Sequence, residues 1–285
     1  MQYIELRNNV RMPQIMMGTS ICDLKGDKKI LMKQLEDAIN YGESLKTLGF
    51  DTGRDYQNEK LLGEIFNRMI KSGICNREDL FITTKVGNGQ QRVRNMEKEI
   101  DISLNNFNLD YIDLWMLHWP LPEYWLDNWA QVVEIYKKGK VRAIGIANTR
   151  VRHITDLKNA GLEMPHVMQV EYHPFRTVPE FKQALIDNDI QLEAYSANCL
   201  MLPFVKGNKV LNDIAQTHEK SITQIIMRWH VQQKSIPIFR SFNPSHIKDN
   251  VSVYDFELTE EEMQRIYGLN QDYKFHPESL NCPGY

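Results

Sequence analysis

Eight short apolar segments recur along the chain, and stretches with helical spacing separate them. The segments are rich in aliphatic, β-branched and aromatic residues, which is typical of parallel strands buried on both faces. They occupy residues 15–18, 48–51, 80–86, 111–118, 141–147, 167–171, 191–196 and 236–239. Eight such strands alternating with helices, in a chain of 285 residues, predict a (β/α)8 barrel of the TIM type.

The stretches between these segments carry apolar residues on one helical stripe, as Leu31, Leu35 and Ala38 do. The spacing predicts helices over residues 29–41, 59–70, 93–107, 128–138, 149–159, 178–187 and 222–232. A doubly wound sheet is the alternative fold, but the sequence lacks both a GxGxxG motif after the first strand and a GxxxxGK[ST] motif. No linker, repeat or low-complexity segment divides the chain. We therefore expect one domain over residues 1–285, with residues 271–285 as a loop over the active-site face.

The composition excludes several classes of protein. An apolar fraction of 42% and a charged fraction of 25% are those of a compact globular chain. The 34 Lys and Arg against 37 Asp and Glu give a net charge of −3, so no strong field attracts nucleic acid or anionic lipid. No apolar run reaches the length of about 18 residues that a membrane span needs. We expect neither a nucleic-acid partner nor a membrane.

The cysteines and the first residues indicate the compartment. Cys22, Cys75, Cys199 and Cys282 are scattered without CxxC spacing, which argues against a disulfide scaffold or a zinc site. The polar start MQYIELRNNVRMPQ lacks the apolar core of a signal peptide. We expect a cytoplasmic protein.

Chemistry-bearing side chains follow three successive predicted strands. The second strand ends in Asp51 and leads to Tyr56, the third carries Lys85 near its end, and the fourth ends in His118. In a barrel these ends open onto one face, where reactive groups gather. A free phenol has a pKa of about 10, and a nearby ammonium lowers it. With a carboxylate holding the ammonium and an imidazole polarising a carbonyl, Tyr56 becomes a general acid for carbonyl reduction, with the hydride supplied by a cofactor.

These residues lie in stretches that resemble the aldo-keto reductase family. The stretches FDTGRDYQNEKLLG, FITTKV and LDYIDLWMLHWP occur in the family's order, and the resemblance continues through KGKVRAIGIANT, MQVEYHP, LEAYSA and IFRSFNPSHIKDN. It covers nearly the whole chain. The resemblance implies a (β/α)8 barrel that reduces aldehydes and ketones with NAD(P)H, and it places the family's catalytic tetrad on Asp51, Tyr56, Lys85 and His118.

The resemblance also implies cofactor contacts. Asn148 and Gln169 match side chains that hold the nicotinamide carboxamide, and Tyr195 matches the aromatic residue that stacks on the nicotinamide ring. The contacts to the pyrophosphate and the adenosine end fall on Ser196, Arg240, Ser241, His246 and Asn250. Trp119, directly after His118, is expected to form a wall of the substrate pocket.

Four features depart from the family pattern. Ala147, Arg240 and His246 stand where the family usually has Ser, Lys and Arg, and the segment 42–51 is longer than its counterpart. Arg binds phosphate bidentately, whereas His is a weaker second contact to the 2′-phosphate. We therefore expect NADPH as the cofactor, with NADH possible.

Two other functions compete with this prediction. One is a non-catalytic barrel that binds a nicotinamide nucleotide and a protein partner, and the complete tetrad argues against it. The other is a metal-dependent hydrolase or isomerase, for which the predicted strand ends lack clustered ligands.

The short C-terminal segment resembles that of microbial members of the family with small or sugar-like substrates. We expect a small carbonyl substrate, no metal, and a monomer or weak oligomer.

Overall fold

The computed structural model describes residues 2–22, 24–42 and 44–276, and its centre is a closed barrel of eight parallel strands. Strands β1 (Tyr3–Glu5) and β2 (Arg11–Pro13) precede the barrel as an antiparallel hairpin. The barrel strands are β3 (Met16–Gly18), β4 (Gly49–Asp51), β5 (Phe81–Val86), β6 (Ile112–Leu117), β7 (Val141–Ala147), β8 (Val167–Glu171), β9 (Gln191–Tyr195) and β10 (Ile236–Phe239). Each barrel strand pairs with the next along the chain, and β10 pairs with β3 to close the ring. The predicted (β/α)8 barrel is confirmed.

Helices alternate with these strands, and short 3-10 turns lie at Ser44–Lys46, Arg54–Tyr56, Arg77–Asp79 and Cys199–Met201. The helices are α1 (Lys28–Asn40), α2 (Glu59–Lys71), α3 (Asn88–Gln91), α4 (Met96–Phe107), α5 (Trp125–Lys137), α6 (Val151–Asn159), α7 (Pro179–Ile186), α8 (Pro203–Lys206), α9 (Lys209–Thr217), α10 (Ile222–Gln232), α11 (Pro244–Val251) and α12 (Glu260–Tyr267). The helix predicted over 93–107 begins only at Met96, because Arg94 has a positive φ of 56° and the Asn95 side chain caps α4 by accepting from the N–H of Lys98.

The β1–β2 hairpin, which the sequence analysis did not predict, closes the N-terminal end of the barrel. Its Leu6, Val10 and Met12 are buried in one cluster with residues at the beginnings of several strands, such as Phe81 and Ile236. The barrel interior at this end is therefore a packed apolar core rather than a channel.

A second and larger core lies between the strands and the helices. One close helix contact in it is at Gly63 of α2, where a Cβ atom would lie 2.6 Å from the Cα of Phe107 at the end of α4. Only glycine permits this approach, so a side chain at position 63 would push α2 away from α4. The helix α2 follows the loop that carries Tyr56. The packing of α2 against α4 therefore fixes the position at which that loop ends.

The barrel brings the carboxyl ends of its strands to one face, where the candidate site lies. The long segment 42–51 folds as the turn Ser44–Lys46, after which Leu48 takes a φ of 45°. This arrangement leaves Asp51 in register with Gly18 on one side and with Thr83 on the other. The extra length is thus absorbed before the strand and does not displace Asp51.

The predicted C-terminal loop is described as far as residue 276, and residues 277–285 lie outside the described residues. The backbone N–H groups of Phe275 and His276 donate to the carboxylate of Glu171, at the end of β8. Within the described part of the chain, no helix is long and apolar enough to cross a membrane. The single domain over residues 1–285 stays a prediction.

Candidate active site

A cavity of about 890 Å³ opens at the carboxyl ends of the barrel strands. Twelve of the residues predicted for the site line it: Asp51, Tyr56, His118, Trp119, Asn148, Gln169, Tyr195, Ser196, Arg240, Ser241, His246 and Asn250. Lys85 lies beneath the cavity with no exposed surface. The structure therefore brings all of the predicted residues to one place.

The floor of the cavity is an ion pair between Lys85 of β5 and Asp51 of β4. The Nζ atom of Lys85 lies 2.8 and 2.6 Å from the two carboxylate oxygens of Asp51, and it donates to the backbone oxygen of Thr52 at 2.9 Å. Burial alone would lower the pKa of Lys85, but Asp51 and the neighbouring Tyr56 and Glu193 together raise it above its ordinary value. The ammonium is therefore charged at neutral pH.

Tyr56 ends the turn after β4 and lies above this pair. Its ring centroid is 5.4 Å from Nζ of Lys85 and 5.8 Å from the His118 ring, which meets it edge-on at 81°. Burial raises the pKa of Tyr56 above its ordinary value, and Lys85 opposes that rise. Lys85 therefore acts on the phenol pKa in the direction that the sequence predicted, but burial outweighs it. The phenol thus keeps its proton at neutral pH.

His118 follows β6 and has an acidic neighbour that the sequence analysis missed. Oδ2 of Asp55 lies 3.3 Å from Nδ1 of His118, an ion-pair distance, although Nδ1 has no aligned hydrogen bond among the described residues. The His118 contact holds the pKa of Asp55 below its ordinary value. The sequence did contain a signal for Asp55, because this acid stands directly before Tyr56 in the loop that follows Asp51.

A second unpredicted acid, Glu193 of β9, lies below the cavity. The Nε2 atom of Gln169 donates to Asp51 at 2.9 Å and to Glu193 at 2.8 Å. Glu193 has no exposed surface, and burial together with the charge of Asp51 raises its pKa to about 8. The sequence did contain a signal for Glu193, because a charged residue stands inside a strand that is predicted to be buried. The same signal led to the prediction of Lys85.

Asn148 and Tyr195 form the wall between β7 and β9. The Asn148 side chain donates to the backbone oxygen of His118 at 2.9 Å and accepts from the Tyr195 hydroxyl at 2.8 Å. Asn148 takes a φ of 59°, a left-handed conformation that Asn tolerates better than most residues. These bonds fix the amide of Asn148 and the ring of Tyr195 against the edge of the cavity.

The other end of the cavity lies by β10 and α11 and is basic on balance, although Asp249 lines it too. In the ring of strands β10 stands opposite β6, so Arg240 faces His118 across the opening. Arg240 donates to the backbone oxygen of Ser20 at 2.8 Å, and Lys206 lines the same end. The buried Oδ1 of Asn250 has no hydrogen-bond partner among the described residues, so it is free to accept from a bound molecule.

A family model for the aldo/keto reductase family matches residues 15–198 and 201–271. The chain belongs to this family. Two relatives from Bacillus subtilis (strain 168) are an uncharacterized oxidoreductase, YtbE, 37% identical over 276 residues, and a glyoxal reductase, 35% identical over 274 residues. The alignments cover 97% and 96% of this reductase and 95% of each relative. The methylglyoxal reductase DkgA of Escherichia coli (strain K12) is 30% identical over 277 residues, which is 96% of either chain.

Solved structures of the family also match the reductase. An aldo-keto reductase of Bombyx mori in complex with NADP superimposes with a TM-score of 0.88 at 26% identity, over 100% of this chain and 98% of that one. A second, from a deep-sea metagenome library, gives a TM-score of 0.85 at 32% identity and covers 96% of this chain and 97% of that chain. The family that the sequence resembled is thus confirmed, and with it NAD(P)H-dependent carbonyl reduction.

Metal chemistry receives no support from the described residues. Between residues 2 and 276, apart from positions 23 and 43, no group of three or more His, Cys, Asp or Glu side chains could hold a metal ion. Cys22, Cys75 and Cys199 are free thiols, and Cys282 lies outside the described residues.

Proposed function

We propose that this reductase uses NADPH to reduce small, uncharged aldehydes and ketones, with Tyr56 as the proton donor. The observation that carries the proposal is the position of the Tyr56 ring between Lys85 and His118. When bound, the cofactor supplies the hydride. The protein supplies the proton and holds the carbonyl.

Each of the four predicted catalytic residues has a separate role in the proposal. Tyr56 donates its proton to the carbonyl oxygen as that oxygen gains negative charge. Lys85 favours the resulting phenolate by its charge, and Asp51 keeps Lys85 charged and in place. His118 lies at the edge of the Tyr56 ring and donates a hydrogen bond that orients the carbonyl oxygen. Because all four groups lie together at one end of the cavity, the arrangement favours an enzyme over a non-catalytic nucleotide-binding barrel.

The residues along the cavity fit a nicotinamide dinucleotide. The amide nitrogen of Gln169 donates to Asp51 and to Glu193 below the cavity, so its oxygen is the group left for a bound molecule. That oxygen can accept from a carboxamide N–H, while Asn148 offers a second amide beside it. The ring of Tyr195 supplies a face for stacking. These groups would hold the nicotinamide end of the cofactor.

The basic end of the cavity supports a phosphate-bearing adenosine and hence NADPH over NADH. Arg240 and Lys206 supply permanent positive charge there, and Ser196, Ser241 and His246 add polar contacts. The unpartnered Oδ1 of Asn250 can accept from the adenine amino group. Charge-assisted hydrogen bonds from Arg to phosphate are among the strong ones.

The substrate class rests on the relatives and on the pocket wall. Glyoxal and methylglyoxal reductases are among the similar proteins, and both named substrates are small and uncharged. Trp119 lines the cavity next to His118 with 5% of its surface exposed, so it forms a flat apolar wall for a short substrate.

The test is turnover by the purified protein with NADPH or NADH and a panel of aldehydes that includes methylglyoxal. Loss of cofactor absorbance with methylglyoxal is expected in the wild type. Tyr56→Phe should lose that activity while it keeps its affinity for NADPH, as measured by quenching of protein fluorescence. Absence of turnover in the wild type with every aldehyde and both cofactors would refute the proposal.

A further inference from the structure

The carboxylate of Asp55 is a fixed part of the cavity wall. Its side chain is 44% exposed and lines the cavity directly before Tyr56. The backbone N–H of Asn88 donates to it, and His118 lies at 3.3 Å on its other side. Gly87 leaves the space that the carboxylate fills, since a Cβ there would lie 2.0 Å from Oδ1. The negative charge is therefore held at the place where a substrate carbonyl meets Tyr56.

Apart from the imidazole of His118, the cationic groups around the cavity are directed away from Asp55 or lie at its other end. Lys85 is neutralised by Asp51 in the floor. Arg54, the preceding residue, is directed to Glu59 and Glu99 at 3.2 and 3.7 Å. The permanent cations that line the cavity in the described part of the chain, Lys206 and Arg240, belong to its opposite end.

We infer that Asp55 is a specificity-determining residue that makes the reductase select against carbonyl substrates bearing a carboxylate or phosphate, and in favour of uncharged and cationic ones. This inference rests on the proposed function. A substituent on the reacting carbon must pass the cavity wall beside Tyr56, and an anionic substituent there meets a fixed charge of its own sign. Two like charges a few ångströms apart in a partly buried site repel strongly enough for a selectivity of about tenfold or more.

The pKa of Asp55 supports the charge that this selection needs. Contact with His118 holds the pKa of Asp55 below its ordinary value, although partial burial opposes the shift. Asp55 is therefore ionised throughout the neutral range. Selection by charge should consequently persist across that range.

The test compares three aldehydes that share a four-carbon backbone and differ in the charge of the group at the far end. They are succinic semialdehyde, methyl 4-oxobutanoate and 4-(trimethylammonio)butanal, which are anionic, neutral and cationic. In the wild type, kcat/KM is expected to rise in that order. In Asp55→Asn, the ratio of the anionic to the neutral substrate should increase about tenfold, because the amide keeps the shape and removes the charge. The ratio cancels any effect of the substitution on the chemical step that the two substrates share.

Glu5→Gln is the matched control, because Glu5 is exposed on the hairpin at the opposite end of the barrel. It removes the same net charge and should leave the ratio unchanged. Raising the ionic strength to about 0.15 M shortens the Debye length to about 8 Å. Added salt should therefore weaken the preference of the wild type more than that of Asp55→Asn. An unchanged ratio in Asp55→Asn, or an equal change in Glu5→Gln, would overturn the inference.

Binding of unreactive ligands separates this inference from the proposed function. Calorimetry with butyrate and butyramide, in the presence of NADP+, measures the same charge selection without turnover. Asp55→Asn should tighten the binding of butyrate and leave that of butyramide within about twofold. If the wild type reduces none of the aldehydes, the proposed function fails while these binding constants still decide the role of Asp55. Equal butyrate affinity in the two proteins would refute that role.

Discussion

The ammonium of Lys85 lies within 2.8 Å of both carboxylate oxygens of Asp51, and neither residue has more than 4% of its surface exposed. The pair joins β4 to β5 at the centre of the barrel opening. It therefore serves two purposes, because it supplies charge beneath Tyr56 and ties the floor of the cavity together.

Lys85→Met should abolish most activity and destabilise the protein. The substitution leaves Asp51 buried without its partner, and breaking a buried pair costs about 3–5 kcal/mol. Urea unfolding at pH 7 measures the change. The double variant Lys85→Met with Asp51→Asn should recover part of the stability but none of the activity, since the buried charge is gone and so is the ammonium. Recovery of activity in the double variant would contradict the assigned role of Lys85.

The pH dependence of unfolding should report the same pair. The folded-state pKa of Lys85 is raised above 10.5, so its contribution to stability is complete below that value and is lost as the pH rises through the folded pKa. The free energy of unfolding of the wild type should therefore fall above about pH 10.5 more steeply than that of the double variant. Parallel curves for the two proteins would show that the pair contributes nothing there.

Tyr56→Phe should lower kcat by about 10²–10⁴-fold, the usual contribution of a general acid. The hydroxyl is the only atom removed, so the stability and the NADPH affinity should change little. Because burial raises the pKa of Tyr56, its acid form persists into the alkaline range. Reduction by the wild type should thus keep its rate up to at least about pH 9. A fall in kcat near neutral pH that is absent from Tyr56→Phe would contradict this assignment.

The sequence predicted the barrel because the burial of each strand on both faces leaves a continuous apolar pattern. It predicted a functional role for Lys85 because a charged amine interrupts this apolar pattern. Such an amine is buried and therefore needs a charged partner. Asp55 and Glu193 are visible in the sequence as acids near or within a predicted strand, but they were missed because their importance depends on contacts with residues far away along the chain. Glu193 meets Asp51 only through Gln169, and no local pattern contains that bridge.

Glu193→Gln should stabilise the protein in a pH-dependent manner. The pKa of Glu193 is about 8 in the folded protein against an ordinary 4.5, so the folded state binds a proton that the unfolded state has released. Glu193 therefore costs nothing near pH 4, costs more as the pH rises, and reaches its full cost above about pH 8. The difference in unfolding free energy between variant and wild type should be near zero at pH 4 and roughly 2–4 kcal/mol at pH 8. A difference independent of pH would show that Glu193 does not titrate as described.

Cofactor preference should depend on Arg240, which stands opposite His118 across the cavity. The phosphate of NADPH that NADH lacks carries about −1.5 to −2 charges if it titrates as other phosphate monoesters do, and Arg can meet it with two parallel hydrogen bonds. Arg240→Ala should therefore erase most of the preference for NADPH while the affinity for NADH changes little. His246→Arg, which adds a permanent cation to those of Arg240 and Lys206, should tighten NADPH alone. Dissociation constants of both cofactors, from fluorescence quenching of the wild type and the two variants, measure these effects. Equal affinities for NADPH and NADH in the wild type would show that the adenosine end binds away from Arg240.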